Sequence, residues 1–135
     1  MFSTIKTSRA NKDTVTQLTN KLNLGAENVI ARLAFSYSLN TNRKLDLHEM
    51  KDAGGKEYNS KVLFGNYTDI YIALLCVHYN LYKSDKDLAR YVKMHIDDGL
   101  ELIAKEVEAK DSITGSDFII NEIEKGLLRF ETLSS

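Results

Sequence analysis

The chain has 135 residues, enough for one domain with its own buried core. It is 43% hydrophobic and 27% charged, with a formal net charge of −1, a balance that excludes a disordered or a strongly basic chain. One cysteine excludes an internal disulfide framework and points to a reducing cytoplasm, the lack of proline suits a helical chain, and no apolar run approaches the roughly 20 residues that span a bilayer.

The first residues lack the apolar core of a secretory signal. Residues 2–8 alternate β-branched and polar side chains and read as a short strand, with Ile5 on one side and Thr4 and Lys6 on the other. A first helix follows to about Asn23, capped by Asn11 or Asp13, with Val15, Leu18 and Leu22 inward. Gly25 is placed to end or re-aim the chain. The second helix, from Ala26 to about Leu39, is unusually apolar. Val29, Ile30, Leu33, Ala34 and Tyr37 recur at helical spacing, and Ala31, Phe35 and Leu39 widen the stripe. Only Asn28, Arg32 and Ser36 interrupt it, as one narrow polar strip. Such a helix is either central to the domain or part of a subunit contact. Arg32, mid-helix among apolar neighbours, is expected to make an ion pair or a carbonyl contact.

Residues 40–65 break the helical pattern with Asn40, Asn42, Gly54, Gly55, Asn59 and Gly65. Residues 45–50 and 61–64 are candidate extended pieces, and a loop of this length is expected to be partly structured or functional. A third helix is expected from about Tyr67 to Tyr82, with Tyr67, Ile70, Tyr71, Leu74, Leu75, His78 and Leu81 on one face. A fourth starts at Ser84 as N-cap and continues through Val107. Gly99 in its interior marks close backbone packing. Gly115 and Ser116 open a last helix with Phe118, Ile119, Ile123, Leu127 and Phe130 as its stripe. The fold class is therefore mainly α, a short N-terminal strand before about five helices. Helices two and three are apolar on more sides than one chain of this size readily covers, so a homo-oligomer is expected.

No glycine-rich phosphate loop, paired-cysteine motif or nucleophile elbow is present. Cys76 lies in an apolar run and reads as a small buried hydrophobe. His48 is expected in solvent and His78 on a buried face. His95 and Asp98, three apart on one helix, have a spacing that can place two metal ligands, and Asp97, Asp98 and Glu101 are the carboxylates that could pair for acid–base work. All three carboxylates are expected on an exposed face. None of these makes a catalytic constellation or calls for a cofactor or metal. Charge, however, is uneven. Residues 1–61 carry ten Lys and Arg against six Asp and Glu, and residues 62–135 carry eight against thirteen, or +4 and −5. That asymmetry suits a polyanion on one face and another partner on the other.

A short polar strand followed by two helices is the order of the ribbon-helix-helix class, in which strands pair into a ribbon that enters the DNA major groove. On that reading Lys6, Arg9, Lys12 and Lys21 are the DNA-binding residues, contacting phosphates, while Thr4, Lys6 and Ser8 are side chains a ribbon presents. Glu27, in the first turn of the second helix, suits the helix dipole but repels a phosphate there.

Four segments carry a family resemblance: Ile5-Lys-Thr-Ser-Arg-Ala-Asn-Lys12, Leu24-Gly-Ala-Glu-Asn-Val-Ile-Ala-Arg-Leu-Ala-Phe-Ser-Tyr-Ser38, Leu63-Phe-Gly-Asn-Tyr67 and His95-Ile-Asp-Asp-Gly-Leu100. In this order, over about residues 3–108, they resemble the DndE family of DNA sulfur-modification proteins. The chain then divides into a DndE-like helical domain, 1–108, and a C-terminal helical extension, 109–135, packed on it or docking beside it. The resemblance implies a mainly helical fold with a ribbon-helix-helix-like core and a tetramer. It also implies binding to double-stranded DNA, nicked duplex above all, beside the sulfur-transfer and ATPase subunits of a bacterial phosphorothioation system. Lys6, Arg9 and Lys12 fall within a matching segment and Lys21 does not. The expected function is a non-catalytic, cytoplasmic DNA-binding subunit. The alternatives are an adaptor that recruits the other modification subunits through its acidic half, and an enzyme built on His95 and Asp98.

Overall fold

The computed structural model describes residues 2–109 and 114–134, with side chains described through residue 128. In chain order the elements are β1 (Thr4–Lys6), α1 (Ala10–Leu22), α2 (Glu27–Asn40), a 3-10 turn (Leu47–Glu49), β2 (Glu57–Asn59), α3 (Ser60–Phe64), a second 3-10 turn (Gly65–Tyr67), α4 (Thr68–Tyr79), α5 (Leu88–Glu108) and α6 (Gly115–Ser134). Five of these helices have twelve residues or more, so the protein is mainly helical with a small N-terminal sheet.

The over-apolar second helix is the centre of the molecule. Ile30, Ala31, Ala34 and Phe35 of α2 are fully buried, chiefly against Ile96, Leu100 and Ile103 on one face of α5 and against α1 and α3. Each Ile, Leu or Phe side chain among them contributes roughly 1.5–3 kcal/mol by leaving water. The two long helices touch backbone to backbone at Gly99, where an added Cβ would stand 1.8 Å from the Ala34 carbonyl oxygen. The excess apolar surface of α2 is thus covered by its own chain. Arg32 emerges from this packing to donate through Nε to the Leu63 carbonyl at 2.7 Å and through Nη2 to the Val62 carbonyl at 3.2 Å, capping the end of α3.

The apolar surface that stays bare belongs to α4. The sequence pattern places Tyr67, Ile70 and Leu74 on its buried face. The structure turns that edge outward, with Ile70 and Leu74 more than half exposed and Val77 82% exposed. Ile72 and Leu75 are the inward residues, and Tyr71 stacks on Phe64 at 4.7 Å. With apolar residues on nearly every side, periodicity alone could not choose the inward one.

β1 pairs antiparallel with β2 of the same chain, in the register Thr4–Asn59, Ile5–Tyr58 and Lys6–Glu57. The ribbon is therefore made within one chain, from the segment expected to be irregular. The two candidate extended pieces flanking β2 are instead helical turns. Ile5 and Tyr58 point inward, and the other residues of both strands face solvent.

The start of α1 also departs from expectation, because neither Asn11 nor Asp13 caps it. The Ser8 N–H donates to both carboxylate oxygens of Asp97 on α5, at 3.0 and 3.2 Å, and the Arg9 N–H donates to Asp52 Oδ2 at 3.0 Å. Asn11 is buried and donates its amide to Asp97 Oδ1 at 2.8 Å. Asp97 is thus an interior residue, 4% exposed, rather than part of an exposed acidic face. Lys93, one turn before it, neutralises it at 2.8 Å and reaches the Asp52 carbonyl at 2.7 Å. The fourth helix also begins later than Ser84. Asp85 folds its carboxylate onto the Asp87 N–H at 2.8 Å, a local turn that postpones α5 to Leu88.

In α6 the expected single stripe splits. Phe118 is buried and stacks on Tyr37, whereas Ile123 and Leu127 are exposed. The side chain of Phe130 lies outside the described residues.

Candidate nucleic-acid interface

Lys6, Arg9 and Lys12 come from one continuous stretch, the end of β1 and the first turn of α1, and all three are exposed. None of them takes part in an ion pair among the described residues. Arg9 and Lys12 are three apart and so lie on one side of the helix start. Lys21 does not join them. Nine residues beyond Lys12, it lies half a turn round the helix, on a shallow groove with Gln17, Ala104 and Glu108.

Acidic side chains stand among these cations. Glu57 is the cross-strand partner of Lys6, and Asp13 follows Lys12. Asp52 accepts from the backbone N–H groups of Arg9 and Gly54, which hold its carboxyl below the usual carboxylate range. Gly55 lets this turn lie against β1, since a Cβ there would stand 2.2 Å from the Ser8 carbonyl oxygen. The result has a chemical consequence. Two carboxylates occupy the N–H groups of Ser8 and Arg9 just ahead of α1, so these two backbone donors are not offered to a phosphate. The Lys and Arg side chains are the groups here that attract one. The Lys93–Asp97 pair is readable as an i, i+4 ion pair, but its reach to Ser8 and Asn11 is not, and nothing local to Lys6 announces Glu57. Glu27, expected to repel a phosphate, is engaged by Lys56 at 3.4 Å and accepts from Thr16 at 3.1 Å.

His95, Ser38 and Asp98 meet in the interior, and their hydrogen bonds fix what they can do. Ser38 Oγ donates its one proton to Asp98 Oδ2 at 2.6 Å, so the 2.8 Å contact with His95 Nδ1 must be donated by the imidazole. His95 Nε2 then accepts from the Tyr79 hydroxyl at 2.6 Å, and Tyr79 accepts from the Leu45 N–H at 2.9 Å. Arg43 closes the chain on Asp98. The neutral imidazole is matched at both nitrogens. Burial, followed by the nearby His78, pushes its pKa down to about 4. This is the reverse of a hydrolytic triad, because the serine serves the carboxylate and the nucleophile position is sealed, with both Ser38 and His95 fully buried. The arrangement ties the segment after α2 to α4 and α5. His78 helps, with Nε2 2.6 Å from the Arg43 carbonyl. His48 is exposed in its 3-10 turn, and Cys76 is half-buried against the core. Among the described residues, no group of three or more His, Cys, Asp and Glu could hold a metal ion, and no helix is long and apolar enough to cross a membrane.

Residues 4–111 match the family profile described as DNA sulphur modification protein DndE. Two solved structures share the fold. One is DndE from Escherichia coli B7A, involved in DNA phosphorothioation modification, with TM-score 0.61 and 19% identity over 76% of this chain and 98% of that chain. The other is a DndE mutant involved in DNA phosphorothioation, in which two glycines are replaced by lysine, with TM-score 0.64 and 21% identity over the same shares. No curated protein matches the sequence. The match over most of the chain, together with this fold, places it: the chain belongs to the DndE family of DNA sulphur-modification proteins.

Proposed function

We propose that this protein is a non-catalytic, DNA-binding subunit of a cytoplasmic DNA phosphorothioation system. It holds duplex or nicked DNA through phosphate contacts, beside the other modification subunits. The reading is carried by family membership together with one observation, three exposed cations at the start of α1 that have no ion-pair partner among the described residues. Lys6, Arg9 and Lys12 are the primary contacts, and Lys21 is a remote fourth. Because Asp13, Asp52 and Glu57 stand close by, one copy binds weakly. Affinity comes from several copies presenting the same short strip. The bare edge of α4 supports such a homo-oligomer, a tetramer in the first instance.

The test is a mobility-shift titration of intact and nicked duplex at two salt concentrations. Replacing Lys6, Arg9 and Lys12 together by Gln is expected to abolish the shift while leaving the solution mass unchanged. Any residual binding should depend less steeply on salt, by roughly 0.9 in the log–log slope for each phosphate that is no longer neutralised. Lys21→Gln alone is expected to cost less than any one of the three. Undiminished binding by the triple variant would refute the assignment.

A further inference from the structure

We infer that the open groove between the end of α2 and the outer side of α4 receives α6 from a second copy of this chain. The groove measures about 840 Å³. Leu39, Leu74 and Val77 give it an apolar lining, Asn42, Lys44 and His78 line it as well, and no carboxylate among the described residues does. Ile70, one turn before Leu74, extends the apolar lining along α4.

On α6 the complementary feature faces away from the domain. Ile120, Ile123 and Leu127 follow at 3-4 spacing and are 52%, 57% and 58% exposed. The opposite side of the helix is held in cis, through Phe118 on Tyr37 and Lys125 at 3.5 Å from Glu106. Glu124 borders the stripe.

Charge selects the occupant. Lys44 and Glu124 take part in none of the ion pairs among the described residues. Two α6 helices face to face would set Glu124 against its own copy, and two grooves face to face would set Lys44 against Lys44. Only α6 in the groove matches apolar stripe to apolar lining and carboxylate to ammonium. The position of the helix makes exchange feasible. Asn40 lines both this groove and the cleft where α6 passes Tyr37, so helix and groove flank the same end of α2. Two copies can therefore trade helices reciprocally. Since the family match ends at residue 111, the docking helix is an addition to the shared core.

The inference rests on the homo-oligomer part of the proposed function and is independent of the DNA contacts. Sedimentation velocity on the full chain tests it. Leu74→Glu and Ile123→Glu alter residues more than half exposed, so folding is not at stake, and circular dichroism verifies this. Each variant alone is expected to sediment as a smaller species than the unaltered chain. Mixed in equal amounts they should form a mixed assembly heavier than either alone, because one keeps its α6 and the other its groove. Lys44→Glu is expected to weaken association at least tenfold, and adding Glu124→Lys in the same chain should restore it. Variants that keep the unaltered mass, or a mixture no heavier than its separate parts, overturn the docking alone. A monomeric unaltered chain overturns the oligomer as well.

Discussion

His95 shows how much one buried side chain constrains. Its two ring nitrogens meet one acceptor and one donor, Ser38 and Tyr79, so only the neutral Nδ1–H form fits. Acidification charges the histidine first in the unfolded chain, near its ordinary value of 6.5, and in the folded chain only near pH 4. Between those two values the unfolded state binds the extra proton, so stability is full above about pH 6.5 and declines as the pH falls towards 4. Urea titrations at pH 7 and pH 5 are expected to differ by about 2 kcal/mol from this group. A His95→Gln variant should be less stable at pH 7 and should lack that part of the pH dependence. An enzymatic role would predict the reverse, intact stability with lost modification. The sequence exposes the i, i+3 pair of His95 and Asp98, but Ser38 and Tyr79, which decide its chemistry, come from two other helices.

At the scale of elements, the α2–α5 contact is the one the sequence states most clearly, through the wide stripe on α2 and the glycine in α5. Gly99→Ala improves intrinsic helix propensity by roughly 1 kcal/mol, yet its methyl group collides with the Ala34 carbonyl. Backbone cannot step aside as a side chain can, so a net loss of about 3 kcal/mol is expected in thermal or urea unfolding. Other elements were illegible for definable reasons. β2 is three residues, Glu-Tyr-Asn, with no alternation to detect, and it is a strand only because β1 lies beside it. The face of α4 was unreadable because a helix with apolar residues all round has no preferred inner side. Nothing near Ser8 or Arg9 reveals that their N–H groups are met by carboxylates 89 and 43 residues away.

For the molecule as a whole, the +4 half does not present Lys6, Arg9 and Lys12 on an unmixed basic surface, because Asp13, Asp52 and Glu57 stand among them. Lys6, Arg9 and Lys12 were legible as candidate contacts because they lie close together in sequence and are exposed. Their acidic neighbours Asp52 and Glu57 were not, because the fold brings them from the middle of the chain. The strip is therefore tempered, and removing a tempering charge should strengthen it. Glu57→Gln spares the Lys6 side chain and is expected to tighten duplex binding a few-fold at low salt, with the difference shrinking as salt rises. Asp52 is unsuited to this experiment because it also holds the start of α1.

That tie has a consequence for how the protein is made. The backbone of Ser8 is secured by Asp97, so the first strand and the opening turn of α1 cannot be fixed until α5 has been synthesised and has docked. A chain emerging from the ribosome carries its Lys6–Lys12 strip unanchored for most of its length. The Lys6–Lys12 strip is thus translated before the helix that anchors it and is among the last parts to fold, and the turn bearing Arg9 acquires its geometry only after the central pair of helices has closed.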